Sequence, residues 1–535
     1  YLDAPSPQGV GSELARAARG PYARLMPSAL VQQTARERVV QWNASGYGLD
    51  FFTTIFEVID YRQICEIAAY GGFPVRYPHW RWGMEYEQLT KSYQYGLSKI
   101  YELVINNDPC YAYLMRSNAL TEQKLVMAHV YGHCDFFKNN AWFAHTSRKM
   151  MDVLANHGAR IRRYMDRHGQ GPVEDFIDVV HSLDNLIDPY SPYIDRGTDA
   201  RSEAKERAES SDKEVQKIAA KDYMDRYINP PDFIEAEQQR IDKRQAQARG
   251  FPARPARDVL KFLMENAPLE TWQQDVLAML REEAYYFAPQ GMTKIMNEGW
   301  AVYWHSTMMT RHLCEASEIV QYCDTHSGTL ATQPGQINPY KMGVELFRDI
   351  EERWNKGRFG PEYMRCEDPE LRRKWDTGAG EGRKKVFDVR RIYNDVTFVD
   401  EFITPEFAED QKMFVYGQDR QTGQYVIVDR DYTKVKKQLL EALTNFGNPI
   451  IKVTDGNYRN RGELFLEHEW VGGDLQLDQA QLTLKSLFTM WRRPVHIKTM
   501  IDGKGRLLSF DGKESLSEEI ESDDPATGRV GTSGE

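Results

Sequence analysis

Leu125 to Asn140 reads LVMAHVYGHCDFFKNN and places His129 and His133 four residues apart inside an apolar run compatible with a helix. Side chains at i and i+4 lie one above the other on a helix face, so both imidazoles point at a single spot. Two histidines on one turn are half of a transition-metal site. The best donor for the other half is a helical stretch about 165 residues further on, MNEGWAVYWHS, with Glu298 and His305. A chain that uses this pattern must bring two distant helices side by side.

The spacing ranks the candidates. Glu122, His129 and His133 fall at i, i+7 and i+11, nearly one face. Zinc takes nitrogen and carboxylate donors, and two histidines plus a glutamate from another helix form a standard three-ligand set. Glu298 and His305 also share a face, but seven residues span about 10.5 Å of helix axis. They do not bind one ion, so Glu298 is the expected third ligand and His305 orients a ligand or substrate. In HExxH enzymes the residue after the first histidine is the general base; here it is Val130. A base would have to come from Glu122, Asp135, His145 or Glu283, with His305 a further catalytic candidate. Asn139, at the third-ligand position of metzincins, is a poor zinc donor. The same histidine pair also suits two buried, hydrogen-bonded core residues without an ion.

Other polar clusters carry less. His181 with Asp178 and Glu174 suggests a dinuclear carboxylate site, but the ExxH pairs of di-iron bundles are absent. His312 reads as an ordinary helix residue, the Tyr77–Trp82 loop as a core plug, and Asp324-Thr325-His326-Ser327 as a polar turn without a nucleophile elbow.

Composition limits the function classes. The 68 basic and 79 acidic residues leave a net charge of −11, whereas phosphate recognition wants a basic surface. Nucleic acid is therefore not an expected partner. Six scattered cysteines without a CxxC pair point to a reducing compartment. No apolar run approaches the ~20 residues of a membrane helix, and none reads as a signal-peptide core. The expected localisation is cytoplasmic.

The chain divides by texture. Residues 1–29 are expected to be a flexible N-terminus, and 30–385 a mainly helical domain interrupted by a charged insertion at about 190–258. Within it, Asp60 caps a helix that ends before Gly71-Gly72. YELVINNDPCYAYLMRSN forms two short strands, and Thr121 caps a helix through Lys138. Further helices are expected at about 142–157, 173–186 and from Val259 to Tyr322, with a break at Pro289-Gln-Gly, and then at Pro339–Trp354. From about 386 to 512, short runs such as VTFVDEFI, YVIVDR and IIKVTDG alternate with two helices, which is the pattern of an α+β domain. Residues 513–535 are acidic and polar and expected to be disordered.

Several long motifs then carry a resemblance: GLDFF, AAYGGFPVRYPHWRWG, YELVINNDPCYAYLMRSN, AHVYGHCDFFKNN, NEGWAVYWH and NPYKMGVELFRDIEERWNKGRFG. In this order they resemble the SpoVR (stage V sporulation protein R) family over about residues 30 to 510. The resemblance implies a bacterial protein of spore cortex formation, or of stress and stationary-phase physiology beside a PrkA-type serine kinase and a von Willebrand factor A-type protein. The EGWA string is also similar to the helix that supplies the glutamate ligand in some zincin-like peptidases, which again favours Glu298. The expectation is thus α+β: a mainly α-helical zincin-like N-terminal domain with a zinc-type site at His129, His133 and Glu298, followed by a smaller α+β domain. With Val130 in the base position, a metal-binding scaffold or regulatory protein is the first expectation. A zinc-dependent peptidase or amidase, acting on cell-wall-like peptides through an unusual base, is the alternative.

Overall fold

The computed structural model describes residues 28–94, 102–194, 230–240 apart from 232, 236 and 239, 251–332, 336–418 and 425–520. Residues 1–27 of the expected flexible N-terminus and most of the charged insertion lie outside these residues. The fold class is α+β, as expected. Two compact units divide the chain. One is drawn from residues up to Arg162 and from Pro289–Phe446, the other from Arg163–Ala288 and from Gly447 onward.

The first unit carries helices α1 (Ser28–Gly46), α2 (Leu120–Asn139), α3 (Lys294–Met308), α4 (Ile319–Leu330), α5 (Pro339–Asn355), α6 (Gly382–Ile392) and α7 (Asp395–Phe402). It also holds a three-stranded sheet of β1 (Thr54–Ile59), β2 (Glu102–Ile105) and β3 (Cys110–Met115) in the order β1-β3-β2. β3 pairs parallel with β1 and antiparallel with β2. The two strands expected in YELVINNDPCYAYLMRSN are β2 and β3; β1 was not expected. Asp60 caps the helix Tyr61–Ala69 as expected, with Gln63 completing a capping box.

α2, α3 and α5 form the centre of the core, and small residues let them approach. A Cβ on Gly132 of α2 would lie 2.7 Å from Ala301 Cα of α3. Gly299 of α3 and Gly343 of α5 meet backbone to backbone, so a Cβ on either would collide with the other helix. The glycines inside HVYGH, NEGWA and KMGV are therefore packing residues. They put two sidechain-bearing faces within reach of a shared centre. Around them Val126, Val130, Phe136, Trp300, Trp304, Phe347 and Val389 are buried.

The second unit holds a five-stranded sheet. Its strands follow a separate two-stranded hairpin of the first unit, β4 (Val415–Gln418) and β5 (Tyr425–Asp429). They are β6 (Ile451–Tyr458), β7 (Glu463–His468), β8 (Val495–Ile501), β9 (Lys504–Phe510) and β10 (Ser515–Ile520), in the order β10-β9-β8-β7-β6. The helix α8 (Leu477–Trp491) packs on one face through Phe488 and Phe510, whose ring centroids are 5.3 Å apart. Helix Val259–Asn266 joins the same unit: Phe262 stacks on Trp491 at 5.7 Å, and Ala256 bridges Val453.

Several sequence expectations change here. The cut expected near 386 does not coincide with the division between units. Val386, Val389, Phe398 and Phe402 are buried in the first unit, while the described residues of 163–288 group with the C-terminal sheet. VTFVDEFI is the helix α7, because Asn394 caps it at the Thr397 amide and Phe398, Val399 and Phe402 fall on one buried face. Thr121 does not cap α2; the Glu122 carboxylate accepts from the Ala119 amide at 2.7 Å. Pro289 sits inside a continuous helix, Thr271–Met292, and the break comes at Thr293. The tail expected to be disordered from 513 forms β10, paired antiparallel with β9; residues 521–535 lie outside the described residues. No helix among the described residues is long and apolar enough to cross a membrane.

Candidate metal centre

α2 supplies His129 and His133 on adjacent turns, and α3 supplies Glu298. Their ligand atoms lie within 4.8 Å of one another. Glu298 Oε2 is 3.4 Å from His129 Nε2 and 3.5 Å from His133 Nε2, with the three side chains 12%, 5% and 7% exposed. These separations exceed an ordinary N–H···O hydrogen bond, and the buried Oε2 receives no well-formed hydrogen bond. Donors about 2.0–2.1 Å from a tetrahedral zinc ion stand roughly 3.3–3.4 Å apart. The donor set and its spacing therefore fit such an ion. Burial alone would raise the Glu298 carboxyl, but the imidazoles of His133 and His129 outweigh it and hold the group well below the usual range.

The surrounding contacts orient the ligands. His133 Nδ1 meets Asn297 Oδ1 at 2.8 Å. An amide oxygen only accepts, so Nδ1 carries a proton, and Nε2 is the nitrogen that faces Glu298. His129 Nδ1 meets His305 Nδ1 at 2.9 Å, and His305 Nε2 meets His326 Nδ1 at 3.1 Å. His305 is buried, and burial together with His129 and His326 pushes it well below the ordinary histidine value. The ring of Tyr340 on α5 lies 6.2 Å from that of His129. Lys294, one turn before Glu298, reaches its Oε1 at 3.3 Å.

The amino end of α3 is seated by Asp395 of α7, whose oxygens accept from Ile295 N at 2.7 Å and Met296 N at 2.9 Å. Those amides have no partner inside the helix. Burial drives the Asp395 carboxyl up to about 7, against the lowering effect of these amides.

Each residue singled out in the sequence has a definite place. His129, His133 and Glu298 come together, with His305 directly behind His129. Glu122 is spent on the first turn of α2. Asp135 is completely buried on another side of α2. It accepts from Asp50 N and Trp300 Nε1, each at 2.8 Å, and pairs with Arg390 at 3.2 Å. Burial pushes it up to about 6 despite Arg390. Asn139 donates to Asp50 O and Asp135 O. His145 is exposed on the turn after Phe143, and Glu283 belongs to the other unit. Three contributors were not foreseen: Asn297, Tyr340 and His326. DTHS lies inside α4, not in a turn, and His326 faces His305. Only Asn297 had a readable signal, its place beside Glu298.

Comparison with known proteins gives the family. The family described as SpoVR like protein matches residues 29–448, which takes in α2, α3 and every residue of the centre. This chain belongs to the SpoVR family. A curated member-like relative, the uncharacterized protein YcgB of Escherichia coli (strain K12), is 30% identical over 392 residues, covering 70% of this chain and 72% of the relative. No solved structure matches the chain.

Proposed function

We propose that this SpoVR-family protein is a metal-binding scaffold or regulatory protein. One divalent transition-metal ion, zinc by donor chemistry, is held by His129, His133 and Glu298. The observation that carries the reading is the buried Glu298 Oε2, faced by two imidazole nitrogens at zinc-like spacing and without a well-formed hydrogen bond. Two histidines a turn apart on one helix and a glutamate on the next is the arrangement of a zincin-like domain. An ion bound there supplies a Lewis-acid position and a cross-link between α2 and α3.

A hydrolase would need a group able to take a proton from water. Val130 is buried apolar core, Glu122 and Asp135 are engaged in the fold, and His305 has both ring nitrogens on other histidines. This favours the scaffold over a zinc-dependent peptidase or amidase. The physiology proposed is that of the family resemblance, sporulation or stress and stationary phase, with a PrkA-type serine kinase and a von Willebrand factor A-type protein as partners.

Elemental analysis of protein purified without chelators tests the reading. Near one equivalent of zinc is expected, lost in His129→Ala and Glu298→Ala. Less than about a tenth of an equivalent of any transition metal would overturn it. Hydrolysis that survives repurification and disappears in both variants would restore the enzyme reading.

A further inference from the structure

The three rings His129, His305 and His326 form one unbroken hydrogen-bonded file from the metal centre on α2, through α3, to α4. The contacts are 2.9 and 3.1 Å, and exposure rises from buried at His129 and His305 to half-buried at His326. Both ring nitrogens of His305 are occupied by other histidines. A neutral imidazole has one donor and one acceptor nitrogen, so fixing one ring fixes the others. Only two arrangements of neutral rings satisfy both contacts.

In the first, His129 carries its proton on Nε2, toward the Glu298 carboxylate. Its bare Nδ1 then accepts from His305 Nδ1, and the bare His305 Nε2 accepts from His326 Nδ1. His326 Nε2 is left as an acceptor. In the second, His129 Nε2 is bare, as a metal ligand must be. Nδ1 of His129 then donates to His305 Nδ1, Nε2 of His305 donates to His326 Nδ1, and His326 Nε2 carries a proton outward.

We propose that this file is a tautomer relay, in which occupation of the His129–His133–Glu298 centre by a divalent cation inverts all three rings and turns the outer nitrogen of His326 from acceptor to donor. The inversion balances. The cation displaces one proton from His129 Nε2 to solvent, each inner proton moves one hydrogen bond toward the centre, and His326 Nε2 takes one proton from solvent. No ring changes charge. His305 and His326 are thus positioning residues, and the state of a buried centre is displayed beside the Arg348–Glu345 pair of α5, whose charges bear on His326. A partner that places an acceptor at His326 is favoured by the filled centre, and one that places a donor there by the empty one. By contrast, His133 has no such path: its Nδ1 ends on Asn297, and its tautomer stays the same in both states.

The proposal rests on the metal reading, and its test separates the two. The probe is zinc alone, added to the full chain labelled with 15N only in histidine, with chelator as the reference. Ring nitrogen chemical shifts and couplings distinguish a protonated from a bare nitrogen at each histidine. Zinc is expected to convert His326 Nε2 from bare to protonated, with His133 Nδ1 protonated throughout. His305→Phe should uncouple His326 from zinc and weaken zinc binding about tenfold or more, the usual loss when a ligand's hydrogen-bond partner is removed. His326→Ala, at a half-buried position, keeps the test open if His305→Phe does not fold. It should leave His305 responsive to zinc with its outer nitrogen turned to solvent. One equivalent of zinc bound with the His305 and His326 tautomers unchanged would overturn the relay and leave the metal reading standing. No zinc bound at all would overturn both.

Discussion

Each unit of this protein buries a histidine against a glutamate, and the two clusters differ in how their polar atoms are satisfied. In the second unit, His496 of β8 meets Ser509 Oγ of β9 at 2.7 Å and Glu463 Oε2 of β7 at 3.0 Å, and Arg461 pairs with the same glutamate. Register places Ser509 directly opposite His496, so the contacts follow from strand pairing. Every group there has a partner at hydrogen-bond distance. In the first unit, Glu298 Oε2 stands 3.4 and 3.5 Å from two imidazoles and is not properly hydrogen-bonded to either. A buried polar group left in that condition is costly. The closed cluster holds a sheet together; the spread one has the spacing of ligands around an ion.

The largest expected break in this comparison comes from zinc. At free zinc a thousandfold above its dissociation constant, binding to the native state alone adds about 4 kcal/mol of stability. Denaturant unfolding with zinc and with chelator should show that difference in the parent chain and in His496→Ala, and not in Glu298→Ala. A zinc effect that vanished in His496→Ala would mean that the clusters had been assigned the wrong way round.

Gly132→Ala asks whether close helix approach builds the centre. The added methyl meets Ala301 Cα, and overpacking of this kind costs about 1–3 kcal/mol. A lower denaturation midpoint and less bound zinc are expected together. His496→Ala should cost a comparable or smaller amount, about 1–3 kcal/mol, by leaving Glu463 without its imidazole. Its zinc content should stay at the parent value.

The smallest effect contrasts two buried carboxylates of the first unit. Glu298 is held low because imidazoles face it, whereas Asp395 is raised from 3.8 to about 7 because burial outweighs the amides it accepts from. Between those two values the folded chain keeps a proton on Asp395 that the unfolded chain has released. Asp395 therefore contributes a loss of stability as pH rises from about 5 to 7, by about 1 kcal/mol per pH unit, while buried histidines held low, such as His305, contribute in the opposite sense. Unfolding in chelator should show the Asp395 part as a difference in slope, with stability falling more, or rising less, with pH in the parent chain than in Asp395→Asn. Equal slopes would remove that contribution.

Much of the site was legible because helix periodicity is local. Four residues make a turn, so His129 and His133 had to share a face, and Glu298 stood out as a carboxylate on an apolar helix. The glycines were visible too, but their purpose was not, since Gly132 matters through Ala301 and Gly299 through Gly343. His326 was read as part of a turn because DTHS is polar and short; its role depends on His305, which nothing within a few residues of it reveals. β6 of the second unit was readable as the short run IIKVTDG, whereas β10 lies in the stretch expected to be disordered and β1 was not expected. α7 was taken for a strand because VTFVDEFI is rich in β-branched residues, and tertiary packing of Phe398 and Phe402 overrode that propensity.

What the sequence determined alone was therefore the family, the α+β class, the facing pair of histidines and the absence of a glutamate at Val130. Each of these is a property of neighbours along the chain or of motif order. Tertiary structure decided which residues stand behind the ligands, which candidate bases are already engaged, and that the described residues of 163–288 group with the C-terminal sheet while those of 386–446 do not. Those outcomes depend on contacts between residues far apart in sequence, where packing and burial settle what local spacing leaves open.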